Sequence, residues 1–452
     1  MHREPPARRK QMAKRIAVVT TLVLASLTLG LRAQPLPNTL ELDQAIAIAL
    51  SRHGDLDAAR AVIEARAGRV RQAGFSPNPV FYSQTENWRF YGNPGFSAVR
   101  DLDIFAWVSI PIETASKRRR RVDLAEADER IAEHERQLLA WRIRQSVKKA
   151  YWRALAAVND VKMLVRSREI LQRLENYHEV RVRLGAMAEV DLIKVRVEAG
   201  RAALDLSGAE MKVSRAKIAL LETMGTSELN TDFELRQPDA RPVNVSWNDG
   251  QTTQQSVEKA LAHRVEILLG RAHVGRARAN VELQQSLARP DVTPYLGYKR
   301  TNRFNTIIAG FSIPLPVRDK NTGSIEEALA EVRRRKAALR ASEARIHAEV
   351  AAAVETVRRR SDIFRSMETG TLVRAQETAQ IALAAYQEGG VELLDVLDAQ
   401  RAHNEISLFY SQLLFDYQLS WVDLETATGT PNLSLSSERT QTAVTRSGIT
   451  IQ

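Results

Sequence analysis

Apolar residues recur along this chain with three periods, and the series runs through twice. From Leu42 to Gly74, residues such as Leu42, Ala45, Ile46, Ala49, Val62, Ile63 and Ala67 fall three and four apart, the spacing of an amphipathic helix. Phe75-Ser-Pro-Asn-Pro79 ends that pattern, since proline lacks an N–H and clashes with the preceding turn. An aromatic, strand-like run follows over 80–91, and residues 101–110 then alternate, with Leu102, Ile104, Ala106, Val108 and Ile110 on one face. This predicts a hairpin of two strands of about ten residues. From Ala115 to Leu184 there is neither proline nor glycine, and Ile143, Val147, Tyr151, Ala154, Val158, Val161 and Val165 step by four and three. That is a coiled-coil seam, and about 70 residues make a rod of roughly 100 Å. Gly185 closes it, and a shorter helix is expected over 190–224, ending at Gly225.

After a connector (226–255) rich in Pro, Asn, Thr and Asp, the order returns: a helix over 256–287, strands over 295–300 and 304–313, a long helix over 320–388 in which only Gly370 interrupts from Ile325 to Glu388, a turn at Gly389, and a helix over 393–428. Ser109-Ile110-Pro111-Ile112 recurs as Ser312-Ile313-Pro314-Leu315, Asp191 as Asp395 and Gly225 as Gly429, about 203 or 204 residues on. The chain therefore reads as two structural repeats, 34–225 and 256–429, with a Ser/Thr-rich tail over 430–452. The expected fold is mostly α with a small β part, each repeat a helix, a hairpin, a very long helix, a turn and a shorter helix.

Charge changes the picture at the N-terminus. Six basic residues within 1–15 precede the apolar run Ile16–Leu31 and then Arg32-Ala33-Gln34, the layout of a secretory signal cleaved after about Ala33. The run is short for a spanning helix. Removing 1–33 lowers the formal charge from +11 to about +5, which weakens any case for nucleic-acid binding. The chain has no cysteine, which excludes disulfides, thiolate metal sites, thiol catalysis and an N-terminal lipidated cysteine. No later apolar run is long enough to span a bilayer as a helix, so any membrane part must be made of strands. Four strands cannot close a barrel, and lipid does not tolerate open sheet edges. Three copies sharing twelve strands would form one with room inside.

Candidate chemistry is sparse. The eight histidines form no ligand pattern, and neither a phosphate-binding glycine loop nor a nucleophile elbow is present. The sequence thus predicts no enzyme, no cofactor and no metal site. Asp395 and Asp398 follow the paired glycines 389 and 390. Two readings stand for them: acids favouring a helix N-terminus, or, in a trimer, a ring of carboxylates favouring cations. A periplasmic structural coiled coil is the alternative to a channel. It leaves unexplained the matched hairpins and the aromatic residues Phe81, Tyr82, Trp88, Phe90, Tyr91 and Trp107, which suit a membrane interface. The run Arg118–Arg121, just past the first hairpin, leaves lipid head groups and a tunnel wall open as surroundings, a solvated charge run being the commoner outcome.

These motifs carry a resemblance over nearly the whole mature length. Tyr386-x-x-Gly389, Asp395-Val396-Leu397-Asp398-Ala399 and Ala427-Thr428-Gly429 resemble the TolC-like outer-membrane factors of tripartite efflux pumps. Pro111-Ile112-Glu113, followed by Lys117-Arg118 and Arg121, resembles the heavy-metal (CzcC-like) branch, which usually has Leu-Gly-Gly where this chain has Thr114-Ala115-Ser116. The resemblance implies a homotrimer with a twelve-strand barrel in outer-membrane lipid and an α-helical periplasmic tunnel. It implies docking to a periplasmic adaptor and an inner-membrane RND pump, and passive transport of heavy-metal cations; a multidrug or type I secretion duct is the alternative. It also places a gate constriction at Asp395 and Asp398, a latch and helix tips at Tyr386, Asp191, Gly185 and Gly389, and the barrel-to-tunnel transition at Pro111 and Pro314. Val391 stands where a well-known member has an arginine linking two coils.

Overall fold

The structure, a computed structural model, describes residues 36–227, 230–238 and 249–430. The expected signal peptide and nearly all of the expected tail lie outside the described residues, as does much of the connector. The chain divides into two compact units. The described part of the smaller one is a parallel ladder between β1 (Thr39–Leu40) and β4 (Glu234–Leu235).

The larger unit holds everything else. Its first repeat runs α1 (Leu42–Arg52), α2 (Gly54–Ala73), β2 (Val80–Glu86), α3 (Ala98–Asp101), β3 (Asp103–Ser109), α4 (Lys117–Arg183) and α5 (Glu189–Thr223). The second runs α6 (Asp249–His263), α7 (Val265–Leu287), β5 (Thr293–Thr301), β6 (Phe304–Ser312), α8 (Thr322–Ser366), a π turn (Met367–Thr371), α9 (Leu372–Gln387) and α10 (Leu393–Thr428).

Three expectations are corrected. Each lead-in helix, expected continuous over 42–74 and 256–287, is broken at one extended residue, His53 or Arg264. The break is where the shorter helix of the same repeat ends: Gly225 (φ +67°) lies against His53 and Gly429 (φ +70°) against Arg264, and an added Cβ would stand 2.9 and 2.7 Å from those side chains. Only glycine supplies both the left-handed turn and the close approach. The first hairpin is shorter than expected, with seven residues in each strand, because Ala98–Asp101 coil into α3. The rod expected over 320–388 is divided by the π turn, which contains Gly370.

The four long strands form one antiparallel sheet in the order β2-β3-β5-β6, so β3 and β5 join the two repeats. At this seam Trp107 lies directly opposite Gly297. A Cβ on Gly297 would be 2.2 Å from the Ala106 carbonyl oxygen, so the close approach requires glycine. The Trp107 ring stacks on Tyr82 at 4.6 Å and tilts onto Tyr295 at 6.1 Å. The register puts Phe81, Val108 and Leu296 in one row of the other face, with Tyr298 and Ile307 in a neighbouring row, and all five are exposed. The β5–β6 turn uses Asn302 and Arg303 with φ of +49° and +69°, as a two-residue hairpin requires. Buried Asp103 ties both loops together, accepting from Asn87 Nδ2 at 2.7 Å and from the Asn302 backbone N–H at 3.2 Å. Among the described residues, the outer edges of β2 and β6 have no strand partner.

α4 is unbroken for 67 residues, about 100 Å of helix. It starts at Lys117 because Ala115 (φ +52°) and Ser116 (φ +57°) are left-handed, a conformation that costs a side-chain-bearing residue about 1–2 kcal/mol. Along the expected seam Ile143, Val147, Tyr151 and Ala154 are buried, Val158 and Val161 are half-buried, and Val165 is exposed. The second repeat has its own core, in which Val257, Ile267, Val350, Val354, Val357 and Tyr417 join α6, α7, α8 and α10.

Two substitutions test these constraints. Gly297→Ala forces β3 and β5 apart and is expected to lower the thermal midpoint by several degrees and to reduce strand signal in infrared spectra. Ala115→Gly relieves the left-handed strain and is expected to raise unfolding stability in urea by about 1 kcal/mol, against the usual cost of introducing glycine.

Candidate functional site at the helical tips

Both long helices reverse at glycines with positive φ, Gly185 (+71°) and Gly389 (+80°). α5 then opens with Glu189 and Asp191 in its first turn, and α10 with Asp395. Acids suit the positive end of a helix. From Tyr386 to Asp398 there are four acids and no base.

Below the turns, Leu171, Leu174, Val195, Ala202, Leu393 and Leu397 form a buried cluster that joins α4 and α5 to α10, with Tyr386 packed against it. The residues singled out by the sequence behave differently from one another. Asp395 sits in a capping box in which its carboxylate accepts from the Glu392 N–H at 3.2 Å. Asp398 is exposed and pairs with Arg401 one turn on at 3.0 Å. Asp191 pairs with Lys194 on its own helix at 3.1 Å and makes no direct bond to Tyr386. Tyr386 instead bonds His178, at 2.7 Å from Nε2, and their rings stack at 5.7 Å. His178 is fully buried, and its Nδ1 lies 2.8 Å from the Leu174 carbonyl. A carbonyl only accepts, so Nδ1 carries a proton, and in the neutral ring Nε2 is left to accept from the phenol. Burial and the nearby charge of Asp191 push the Tyr386 pKa up, which keeps it a donor.

The link between the two repeats at this end comes from a residue that the sequence analysis does not single out. Arg401 on α10 reaches Glu198 on α5 through Nε at 3.1 Å and through a second, shorter bond, while also holding Asp398. A cavity of about 180 Å³, lined by both polar and apolar side chains, adjoins the pair. Beside it Gln400 donates to Asn404, which donates to Ser167 on α4 at 2.5 Å. Arg401 holds the Glu198 carboxyl below its ordinary pKa against an opposing contribution from burial. Sequence reasoning missed Arg401, Glu198 and His178. Arg401 and Glu198 lie 203 residues apart, close to the repeat spacing, which is the signal that pairs them. His178 was weighed only as a metal ligand, and a buried hydrogen bond to a tyrosine 208 residues away leaves no local pattern.

Pro111 and Pro314 lie at the other end, where strands give way to helices. There Ile112 bridges Val292, and Asp291 accepts from the Thr114 N–H at 2.8 Å and pairs with Lys117 at 2.7 Å. Among the described residues no helix is long and apolar enough to cross a membrane, and no group of three or more His, Cys, Asp or Glu is placed to hold a metal ion.

A duplicated helical rod pair carrying a small shared sheet is the architecture of an efflux channel. The chain belongs to the outer membrane efflux protein family, whose profile matches residues 45–226 and 256–430; such proteins are channels and not enzymes. It is 26% identical over 377 residues to the cobalt-zinc-cadmium resistance protein CzcC of Cupriavidus metallidurans, covering 83% of this chain and 86% of that protein. Among solved structures, the fold is similar to that of CusC, with a TM-score of 0.68 at 18% identity over 86% of this chain and 92% of the other. It is equally similar to VceC of Vibrio cholerae, at 0.68 and 20% identity over 86% and 96%.

The inter-repeat ion pair is testable by a double-mutant cycle with Arg401→Met and Glu198→Gln. Because Arg401 is partly exposed, the expected coupling is modest, roughly 0.5–1 kcal/mol near neutral pH. The folded-state pKa of Glu198 is lowered, so this coupling is full above the ordinary glutamate value of about 4.3 and disappears as pH falls below it. A coupling that persists in acid contradicts the assignment.

Proposed function

We propose that this chain is the outer-membrane exit duct of a tripartite RND-type efflux pump for heavy-metal cations. Three copies close a twelve-strand barrel, the long helices form a periplasmic tunnel, and the tips meet an adaptor protein. The observation that carries this reading is the open four-stranded sheet: its outward row of exposed apolar residues and its two unpaired edges are tolerable in lipid only when neighbouring copies complete the ladder. The looser, partly exposed lower seam of α4 supports a further helical neighbour there.

In that assembly Asp395 and Asp398 from three copies line the narrowest part of the tunnel. Six carboxylates around one axis lower the energy of a cation and raise that of an anion. Tyr386 with His178, and Arg401 with Glu198, hold the tips in the closed arrangement, and Arg401, ten residues past Val391, supplies a charged link that Val391 does not. Release at the tips then consists of breaking these bonds, after which ions move down their gradient without bond-making chemistry. The likeness to a cobalt-zinc-cadmium resistance protein and the acidic tips both support metal cations as cargo.

Growth of a deletion strain on divalent metals and on antibiotics tests the proposal. Sensitivity to zinc, cobalt or cadmium is expected, restored by the wild-type gene and only weakly by Asp395→Ala/Asp398→Ala. Sensitivity to antibiotics alone would sink the metal reading in favour of a multidrug duct.

A further inference from the structure

The rim where strands become helices carries a surface that the channel reading leaves unused, and both repeats build it alike. Past β3, the exposed Ile110 and Ile112 precede Lys117 and Arg118–Arg121; past β6, the exposed Leu315 and Val317 precede Arg318 and Lys320. Leu315 and Val317 are 78% and 77% exposed, which is costly in water for two aliphatic side chains in a short loop.

The charges divide into two groups. Lys117 pairs with Asp291, Arg120 with Glu282 and Arg121 with Glu113. Arg119, Arg289, Arg318 and Lys320 are exposed and have no acidic partner among the described residues. A cavity of about 660 Å³ lies at the second exit, with Leu287, Leu315 and Val317 on its apolar wall and Lys117, Arg289 and Arg318 with Asp291 and Asp319 at its polar side; Asp291 is taken up by Lys117 and the Thr114 N–H, and Asp319 accepts from the Asn321 N–H. It adjoins Pro290 and Pro314, two to three residues from the paired rim residues Thr293 and Ser312.

We propose that this collar binds the head groups of anionic phospholipids. The inference rests on the outer-membrane reading above, which sets the strand rim at the inner-leaflet interface. The apolar side chains then continue the lipid-facing row of the sheet into the acyl region, and the unpaired cations meet phosphate oxygens one or two residues further on. Arginine is suited to this, because its planar fork bonds phosphate in bidentate fashion. Each cation near an anionic surface contributes on the order of fivefold in association. The collar thus selects among lipids and fixes the height of the channel in the membrane.

The test uses the mature full-length protein reconstituted in phosphatidylcholine vesicles with spin-labelled phosphatidylglycerol or phosphatidylcholine, reading the fraction of lipid immobilised on the protein. The wild type is expected to prefer phosphatidylglycerol by about fivefold or more. The Arg119→Gln/Arg318→Gln/Lys320→Gln variant is expected to fall near parity, and Arg303→Gln, at the far end of the strands, to keep the preference. Equal preference in wild type and triple variant, or none in the wild type, overturns the proposal. Ion conductance in the same vesicles separates the two readings: conducting protein without lipid preference overturns the collar alone, and protein that neither inserts nor conducts overturns both. Because the chain has no native cysteine, Arg119→Cys and Arg318→Cys can be oxidised cleanly. Disulfide formation between copies at these positions shows that a second copy covers the surface, and overturns the proposal as well.

Discussion

The pairing of β3 with β5 is the contact on which the remaining architecture depends, because it alone makes one sheet of two hairpins about 190 residues apart. Its geometry is narrow. Trp107 faces Gly297, and no other residue at 297 leaves room for the Ala106 carbonyl. Once that seam is set, both chain exits leave the sheet at one rim, and α7 packs against both long helices, α4 and α8. A one-residue slip would turn the apolar rows inward and the Tyr82–Trp107–Tyr295 group outward.

At the opposite end the same logic of joining repeats is carried by polar groups. Leu393 and Leu397 bury the start of α10 against α4 and α5, and this fixes where Arg401 must emerge to meet Glu198. The ion pair is therefore a consequence of the apolar cluster, and its specificity comes from the cluster's register. Tyr386 and His178 add a second link between α9 and α4. Neither link alone is strong, which suits the proposed role of contacts that open when substrate passes.

Periodicity carried most of the fold into view. The duplicated order of elements, the tip glycines and the hairpin faces follow from spacing rules that act over a few residues. What spacing does not encode is contact between segments far apart in the chain. The breaks at His53 and Arg264 arise because Gly225 and Gly429 approach from 165 or more residues away, and nothing local to Arg52-His53-Gly54 signals an end to the helix. The π turn follows the same pattern: Gly370 was visible, but its effect on helical geometry was not. At the candidate site the acids and Tyr386 were legible from the tip motif, whereas their partners His178, Glu198 and Arg401 required the three-dimensional neighbourhood.

That π turn also makes the two repeats mechanically unequal. α4 is a continuous α-helical strut from the sheet to the tip, with every interior backbone bond in place. The corresponding rod of the second repeat contains one turn with wider hydrogen-bond spacing and a glycine, Gly370, on which an added Cβ would meet nothing within 4 Å. When a load is applied along two struts joined at both ends, deformation concentrates in the more compliant one. Bending therefore concentrates at the π turn between α8 and α9, and the unbroken α4 is the stiffer of the two rods.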